Sequence, residues 1–293
     1  MFKMSQYSFI AGVISIGLAL GCYVLAIVAA RLARRRMVMT GAGGGGTIAV
    51  GRRGASNVAA YGTLLAYLGL VFISASILFR TIASGRGPFA NMYEFTVAFA
   101  WGIVVMYVYF VRRYRQPALG LIALPIALAL LLYAMTIPSA IDPLGPALQN
   151  NLLLSIHVAV AIVAYGTFSI SFAAAILHLT GGETGRRGLP GRELLDEISY
   201  KAVVIGFPFL TLTIVLGAVW AEVAWARYWS WDPKETASLV TWLIYGSYLH
   251  ARVIRGWRGQ RAAWLLVVGF GAVLFTYFGN LFFGGLHSYS GLS

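Results

Sequence analysis

The stretch FIAGVISIGLALGCYVLAIVAARLARRR, residues 9–36, decides the fold class. From Phe9 to Ala30 it carries no charged side chain. As a helix rising 1.5 Å per residue that run is about 33 Å long, enough for the ~30 Å hydrocarbon core of a bilayer. Arg31, Arg34, Arg35 and Arg36 follow at once, whereas only Lys3 precedes it. A secretory signal peptide puts its basic cluster before a shorter apolar core; the reverse order reads as an uncleaved membrane helix with its N-terminus outside.

The same pattern recurs along the chain. Apolar runs over Asn57–Phe79, Met92–Val111, Ala118–Thr136, Asn151–Leu179, Ala202–Ala221, Ala237–Ile254 and Ala262–Phe283 predict further spans. The chain therefore reads as an all-α polytopic membrane protein of about eight transmembrane helices. With 59% hydrophobic and 11% charged residues, a soluble domain is excluded. Pro125 and Pro208 fall inside the fourth and sixth spans, where neighbouring helices tolerate a kink. A polar, Pro-containing loop is expected from Arg80 to Glu94, and a charged connection with Arg186, Arg187, Arg192, Glu193, Asp196 and Glu197 before the sixth span.

The net charge of +13 is not a nucleic-acid footprint, because the basic residues sit in short clusters between spans and no nucleic-acid motif accompanies them. They set orientation in the lipid bilayer instead. Of the 22 Lys and Arg, only Lys3, Arg80, Arg86, Arg227 and Lys234 fall on one side, so the opposite side is cytoplasmic and both termini lie outside. Cys22 is the single cysteine, so no internal disulfide and no CxxC exist, and thiol chemistry must come from a partner. The segment from Gly43 to Arg53 lacks the Gly-Lys-Ser/Thr ending of a phosphate loop and reads as a flexible cytoplasmic linker. Residues 1–79 then form an N-terminal two-helix segment and residues 80–293 the functional domain.

Between the sixth and seventh spans, residues 220–236 read WAEVAWARYWSWDPKET, with four of the eight tryptophans. Lipid-facing helix does not mix tryptophan, arginine, aspartate and lysine in this way, so an external, interfacial loop is expected. Single tryptophans there are membrane-belt anchors, but Trp220, Trp225, Trp229 and Trp231 together offer an aromatic surface. If the segment is locally helical, Trp225, Tyr228 and Trp229 share a face suited to a flat macrocycle. Asp232, Pro233 and Glu235 have the spacing of a helix start: cap, first position and capping-box acid. Lys234 and Arg227 could pair with the carboxylates of a ligand or with lipid phosphates.

The chain has four histidines. His157 lies near the outer end of the fifth span and His287 just past the outer end of the eighth, so both can flank the aromatic surface, and neutral imidazole is a standard axial ligand of haem iron. His250 is fourteen residues beyond Thr236, about 21 Å along a helix and thus near the cytoplasmic end. An ionisable group within a span is a functional candidate, with snorkelling or helix capping as the alternative. His178 reads as a solvated helix terminus.

These motifs resemble a known family. WARYWSWDPKET at 225–236, YLHAR ending the seventh span and GLHSY near the C-terminus look like the tryptophan-rich "WWD" signature of haem-handling proteins, and within them like the CcsA (ResC) family; NMYEF at 91–95 and the histidine of LLLSIHVAVA also fit. The resemblance covers about Arg80 to the C-terminus. It implies cytochrome c biogenesis in the bacterial cytoplasmic (inner) membrane, or the thylakoid membrane in plastid relatives. The implied partners are a CcsB (ResB) membrane protein and a CxxCH apocytochrome c. His250 would hold haem b at an inner site with a histidine of that partner. His157 and His287 would be the axial ligands at an external site, with Trp220, Trp225, Tyr228, Trp229, Trp231, Asp232 and Lys234 around the porphyrin. The vinyl groups would there form thioethers with the apocytochrome, by positioning rather than by an acid–base residue. The alternative is a haem exporter or chaperone without ligase activity. Three positions depart from the family pattern: Ala226 stands where glycine is expected, Ala237 where tryptophan is common, and Arg86 where some relatives have histidine.

Overall fold

The computed structural model describes residues 1–40, 45–141, 151–181, 190–279, 283, 285 and 286, with backbone alone for 31, 33–40, 45–53, 55 and 151. Among them are eight α-helices: α1 (Phe2–Thr40), α2 (Gly45–Ser84), α3 (Met92–Tyr114), α4 (Gly120–Ala134), α5 (Asn151–Thr180), α6 (Arg192–Trp225), α7 (Pro233–Ile254) and α8 (Gln260–Phe278). A 3-10 turn, Pro117–Leu119, leads into α4. Pro125 and Pro208 lie inside α4 and α6.

Seven of these helices, all but α7 and with α4 counted from Pro117, are long and apolar enough to cross a membrane, so the protein is a multi-pass helical membrane protein. The eighth expected span, α7, has 22 residues and falls outside this set through its polarity. Its sequence carries Lys234, Glu235, His250 and Arg252 beside several hydroxyl residues. Part of this polarity is used inside the protein, where the Thr241 and Thr276 hydroxyls lie 3.1 Å apart between α7 and α8.

Helices also extend beyond the apolar runs. The linker expected from Gly43 to Arg53 is helix from Gly45 onward, and α1 continues to Thr40 through residues of good helix propensity. Arg192, Glu193, Asp196 and Glu197 are not in a connection but in the first turns of α6. Asp196 there pairs with Arg252 of α7 at 2.6 Å. His178 is buried, not solvated: its Nδ1 lies 3.0 Å from the Arg192 carbonyl. The imidazole thereby ties the end of α5 to the start of α6.

The α1–α2 hairpin packs against α4 and α3, and α5 lies against α3, α4, α6 and α8. The approach of α3 to α5 depends on glycine, since a Cβ on Gly166 would lie 2.7 Å from the Gly102 carbonyl oxygen. At one end of the bundle, Arg80 sits in the last turns of α2 rather than in a loop and is 3% exposed. Its guanidinium pairs with Glu94 at 2.7 Å and donates to the carbonyls of Ser139 and Ala140 at 2.9 and 3.0 Å. It also stands over the rings of Tyr93 and Phe2. This knot fixes the starts of α1 and α3 and the end of α2 on one level.

Candidate functional site

A cleft opens at that same end, with about 1190 Å³ of non-atom space, open solvent included. Its walls come from five helices and the α6–α7 loop: Met92, Phe95 and Phe99 of α3, His157 and Tyr165 of α5, Gly217 and Trp220 of α6, Tyr228 and Trp229 of the loop, Lys234 and Ser238 of α7, and Thr276 and Tyr277 of α8.

His157 is placed by α6. Its imidazole runs within 12° of parallel to the Trp220 ring, centroids 6.5 Å apart. Gly217 supplies the room, because a Cβ there would lie 2.9 Å from Cε1 of His157 and 3.4 Å from Nδ1. Trp220 is 1% exposed and carries Trp225 edge-on at 4.8 Å. Deeper in, the Tyr277 hydroxyl lies 2.6 Å from Thr96 Oγ1. The cleft thus combines aromatic faces, one imidazole and few polar groups, a donor set that fits a flat, largely apolar macrocycle.

The tryptophan-rich segment is not one surface. Helix α6 runs to Trp225, so the loop is 226–232 rather than 220–236, with Ala226 and Trp231 at φ +54° and +58°. Trp225, Tyr228 and Trp229 therefore do not share a helical face. Tyr228 and Trp229 line the cleft, whereas Trp225 backs Trp220 and Trp231 points outward, 68% exposed and perpendicular to Trp229 at 5.6 Å. Glu235 holds the loop by accepting from the backbone N–H of Ser230 at 2.8 Å and of Asp232 at 3.2 Å. Asp232 and Glu235 complete the capping box that the spacing predicts, with Pro233 at the first helical position.

Lys234, one residue further, is half-buried at the cleft, its ammonium 5.7 Å from the Phe95 ring centroid. Burial pushes it down to about 8, with the nearby Asp232 opposing. Arg227 is exposed. Asp232 is buried beneath the loop and does not line the cleft. His250 is exposed near the far end of α7 and is not part of this site. His287 lies outside the described residues; among those described, His157 is the one histidine in the cleft.

The contribution of α3 is absent from the sequence reading. Met92, Phe95 and Phe99 follow helical spacing from within the NMYEF motif, and that spacing was the available signal. Gly217, Tyr165, Ser238 and Tyr277 carry none, because their roles depend on which helices meet.

Comparison with known proteins agrees with this architecture. Residues 89–287 match the family described as "Cytochrome C assembly protein". The chain is 36% identical over 259 residues to the "Cytochrome c biogenesis protein CcsA" of Guillardia theta, covering 79% of this chain and 85% of that one. It is 40% identical over 226 residues to the protein of that name from Chlamydomonas reinhardtii, covering 73% of this chain and 64% of the other. A solved structure titled "Cytochrome c Heme Lyase CcmF" superposes with a TM-score of 0.61 at 20% identity over 92% of this chain, which spans 46% of that protein and shares its fold. The chain belongs to the cytochrome c assembly protein family and, within it, to the CcsA (ResC) branch.

Proposed function

We propose that the chain acts in cytochrome c biogenesis by binding haem in this cleft and presenting it for covalent attachment. Family membership supports the general role. The observation that carries the site is His157, held parallel to Trp220 on the wall of an aromatic cleft by the space left at Gly217. His157 is one axial ligand of the iron and His287 the other. Trp220, Tyr228 and Trp229 cover the macrocycle, while Trp225, Trp231 and Asp232 brace that surface. The Lys234 ammonium at the cleft takes a propionate. Bis-imidazole ligation fills both axial positions and limits oxygen access to the iron. Attachment adds the S–H of each CxxCH cysteine across a haem vinyl group: a C–S bond forms, the hydrogen passes to the other vinyl carbon, and nothing leaves. The cleft contributes orientation rather than acid–base chemistry.

His250 belongs to a second, inner site. It shares the exposed face of α7 with Val240, Leu243 and Ile254. An ionisable group in a membrane helix ordinarily faces its own bundle, so this outward placement favours a partner helix, of the CcsB (ResB) kind, that brings a second ligand. The excess of arginine at the opposite ends of the helices supports an external position for the cleft, on a bacterial cytoplasmic membrane or its plastid equivalent, with eight spans and both termini outside. The α1–α2 hairpin is then an N-terminal addition to a haem-handling domain that starts near residue 80.

The test is co-expression with a CcsB-type partner and a CxxCH apocytochrome. Replacing His157 or His287 by glycine should abolish covalent haem, and added imidazole should restore it. A purified wild-type complex without haem overturns the proposal. Haem that is bound but never attached assigns the chain to export or chaperoning instead.

A further inference from the structure

We infer that Asp232 is a positioning residue of this site: its carboxylate holds the chain at Leu286, the residue before His287. The inference rests on the function proposed above, which makes His287 an iron ligand.

The two oxygens of Asp232 have separate tasks. Oδ1 accepts from the Lys234 N–H at 3.0 Å, the ordinary work of a helix cap. Oδ2 accepts from the Leu286 N–H at 2.6 Å, across 54 residues of sequence. Capping alone needs one oxygen, and serine or asparagine performs it as well as aspartate. Oδ2 thus reaches beyond helix α7 to the segment after α8. Its bond is charge-assisted, in a residue 5% exposed.

Gly285 gives independent support. A Cβ there would collide with Oδ2 of Asp232 and lie 3.0 Å from Cδ of Pro233. Only glycine lets the chain come this close. Asp232 is also fixed from the other side, since Glu235 ties its N–H and that of Ser230 into one loop. Trp229, the start of α7 and Leu286 consequently share one frame.

Two variants separate this role from capping. Asp232→Asn keeps a cap oxygen but turns an NH2 group towards the Leu286 N–H; Leu286→Pro deletes the donor and leaves Asp232 intact. In the full-length complex with its CcsB-type partner, amide exchange of the segment 283–293 should quicken about tenfold or more in Asp232→Asn. In both variants bound haem should shift from six-coordinate low-spin towards five-coordinate high-spin, as in His287→Gly, with imidazole reversing the shift. Unchanged exchange, or faster exchange with an unchanged low-spin spectrum, overturns the inference. If the wild-type complex carries no haem, the proposed function fails, and the exchange measurement alone decides whether Asp232 holds this segment.

Discussion

Two polar clusters stand at the same end of the bundle, served by neighbouring residues of α3, and they are built to opposite rules. Around Glu94 everything is closed. Arg80 pairs with one carboxylate oxygen at 2.7 Å, Arg86 with the other at 3.3 Å, and the Ala90 N–H donates to the second at 2.7 Å. Around Phe95, one residue on, aromatic walls enclose an open cleft, and among the described residues no carboxylate forms an ion pair with the Lys234 ammonium. Buried charge that is fully paired holds elements together; charge left facing a cleft awaits a ligand. The knot is therefore built as scaffold and the cleft as the site proposed above, although both are conspicuous charged or aromatic motifs in the sequence.

Breaking the knot should have the largest effect. Glu94→Ala leaves Arg80 and Arg86 without their carboxylate in a buried setting, a loss of about 3–5 kcal/mol. The expected outcome is a collapse in the yield of folded, detergent-soluble protein. If that variant folds normally and loses only haem, the division between scaffold and site is wrong. On the cleft side, His157→Gly should do the reverse. The fold is retained by its tryptophan fluorescence and thermal transition, while haem content falls more than about tenfold, in the range for disrupting a metal site.

Gly217→Ala sharpens the cleft half of the comparison without touching a ligand. The added methyl meets His157 Cε1 and must displace the ring or the helix, an overpacking cost of roughly 1–3 kcal/mol. Haem affinity should fall with little change in expression, and the Soret band should broaden. Equal loss of folding would mean that Gly217 serves α5–α6 packing alone.

The unequal legibility of these regions has a physical basis. Spans, turn proline positions and the capping box at Asp232 are local, set by periodicity and by residues three or four apart, so the sequence carries them directly. The α7 exception is also local in origin, since its polarity is visible, but its use against Thr276 needs a partner helix. The tryptophan segment misled through a local variable that composition does not report. Trp225 ends a helix and Ala226 turns left-handed, so indoles adjacent in sequence point to different places. His178 differs from its expected place for the same kind of reason: a polar residue at a helix end looks solvated until the next helix is folded against it.

A smaller effect should appear in the pH dependence of the cleft. Burial lowers Lys234 from 10.5 to about 8. The ammonium that attracts a carboxylate is thus present below pH 8 and lost as pH rises through it. Affinity for a dicarboxylate porphyrin should fall severalfold between pH 7 and 9, and a bound carboxylate should move the midpoint upward. Lys234→Met should flatten the profile, and Lys234→Arg should keep binding through pH 9. For folding the sign is opposite: between about 8 and 10.5 the unfolded chain binds the extra proton, so the ligand-free protein gains stability as pH rises across that window. A pH-independent affinity would separate Lys234 from the ligand.

The smallest predicted change tests the loop on its own terms. Ala226 occupies φ +54°, a conformation that costs an alanine about 1 kcal/mol relative to glycine, and the family resemblance leads one to expect glycine there. Ala226→Gly removes that strain but gives the unfolded chain more freedom, so the net gain should be under about 1 kcal/mol, a rise of a few degrees in the thermal midpoint. Haem affinity should not change, because Ala226 does not line the cleft and the frame of the loop is set by Glu235, Ser230 and Asp232. If haem binding weakens instead, the strained turn itself holds Trp229 in place, and the left-handed alanine belongs to the site rather than to the scaffold.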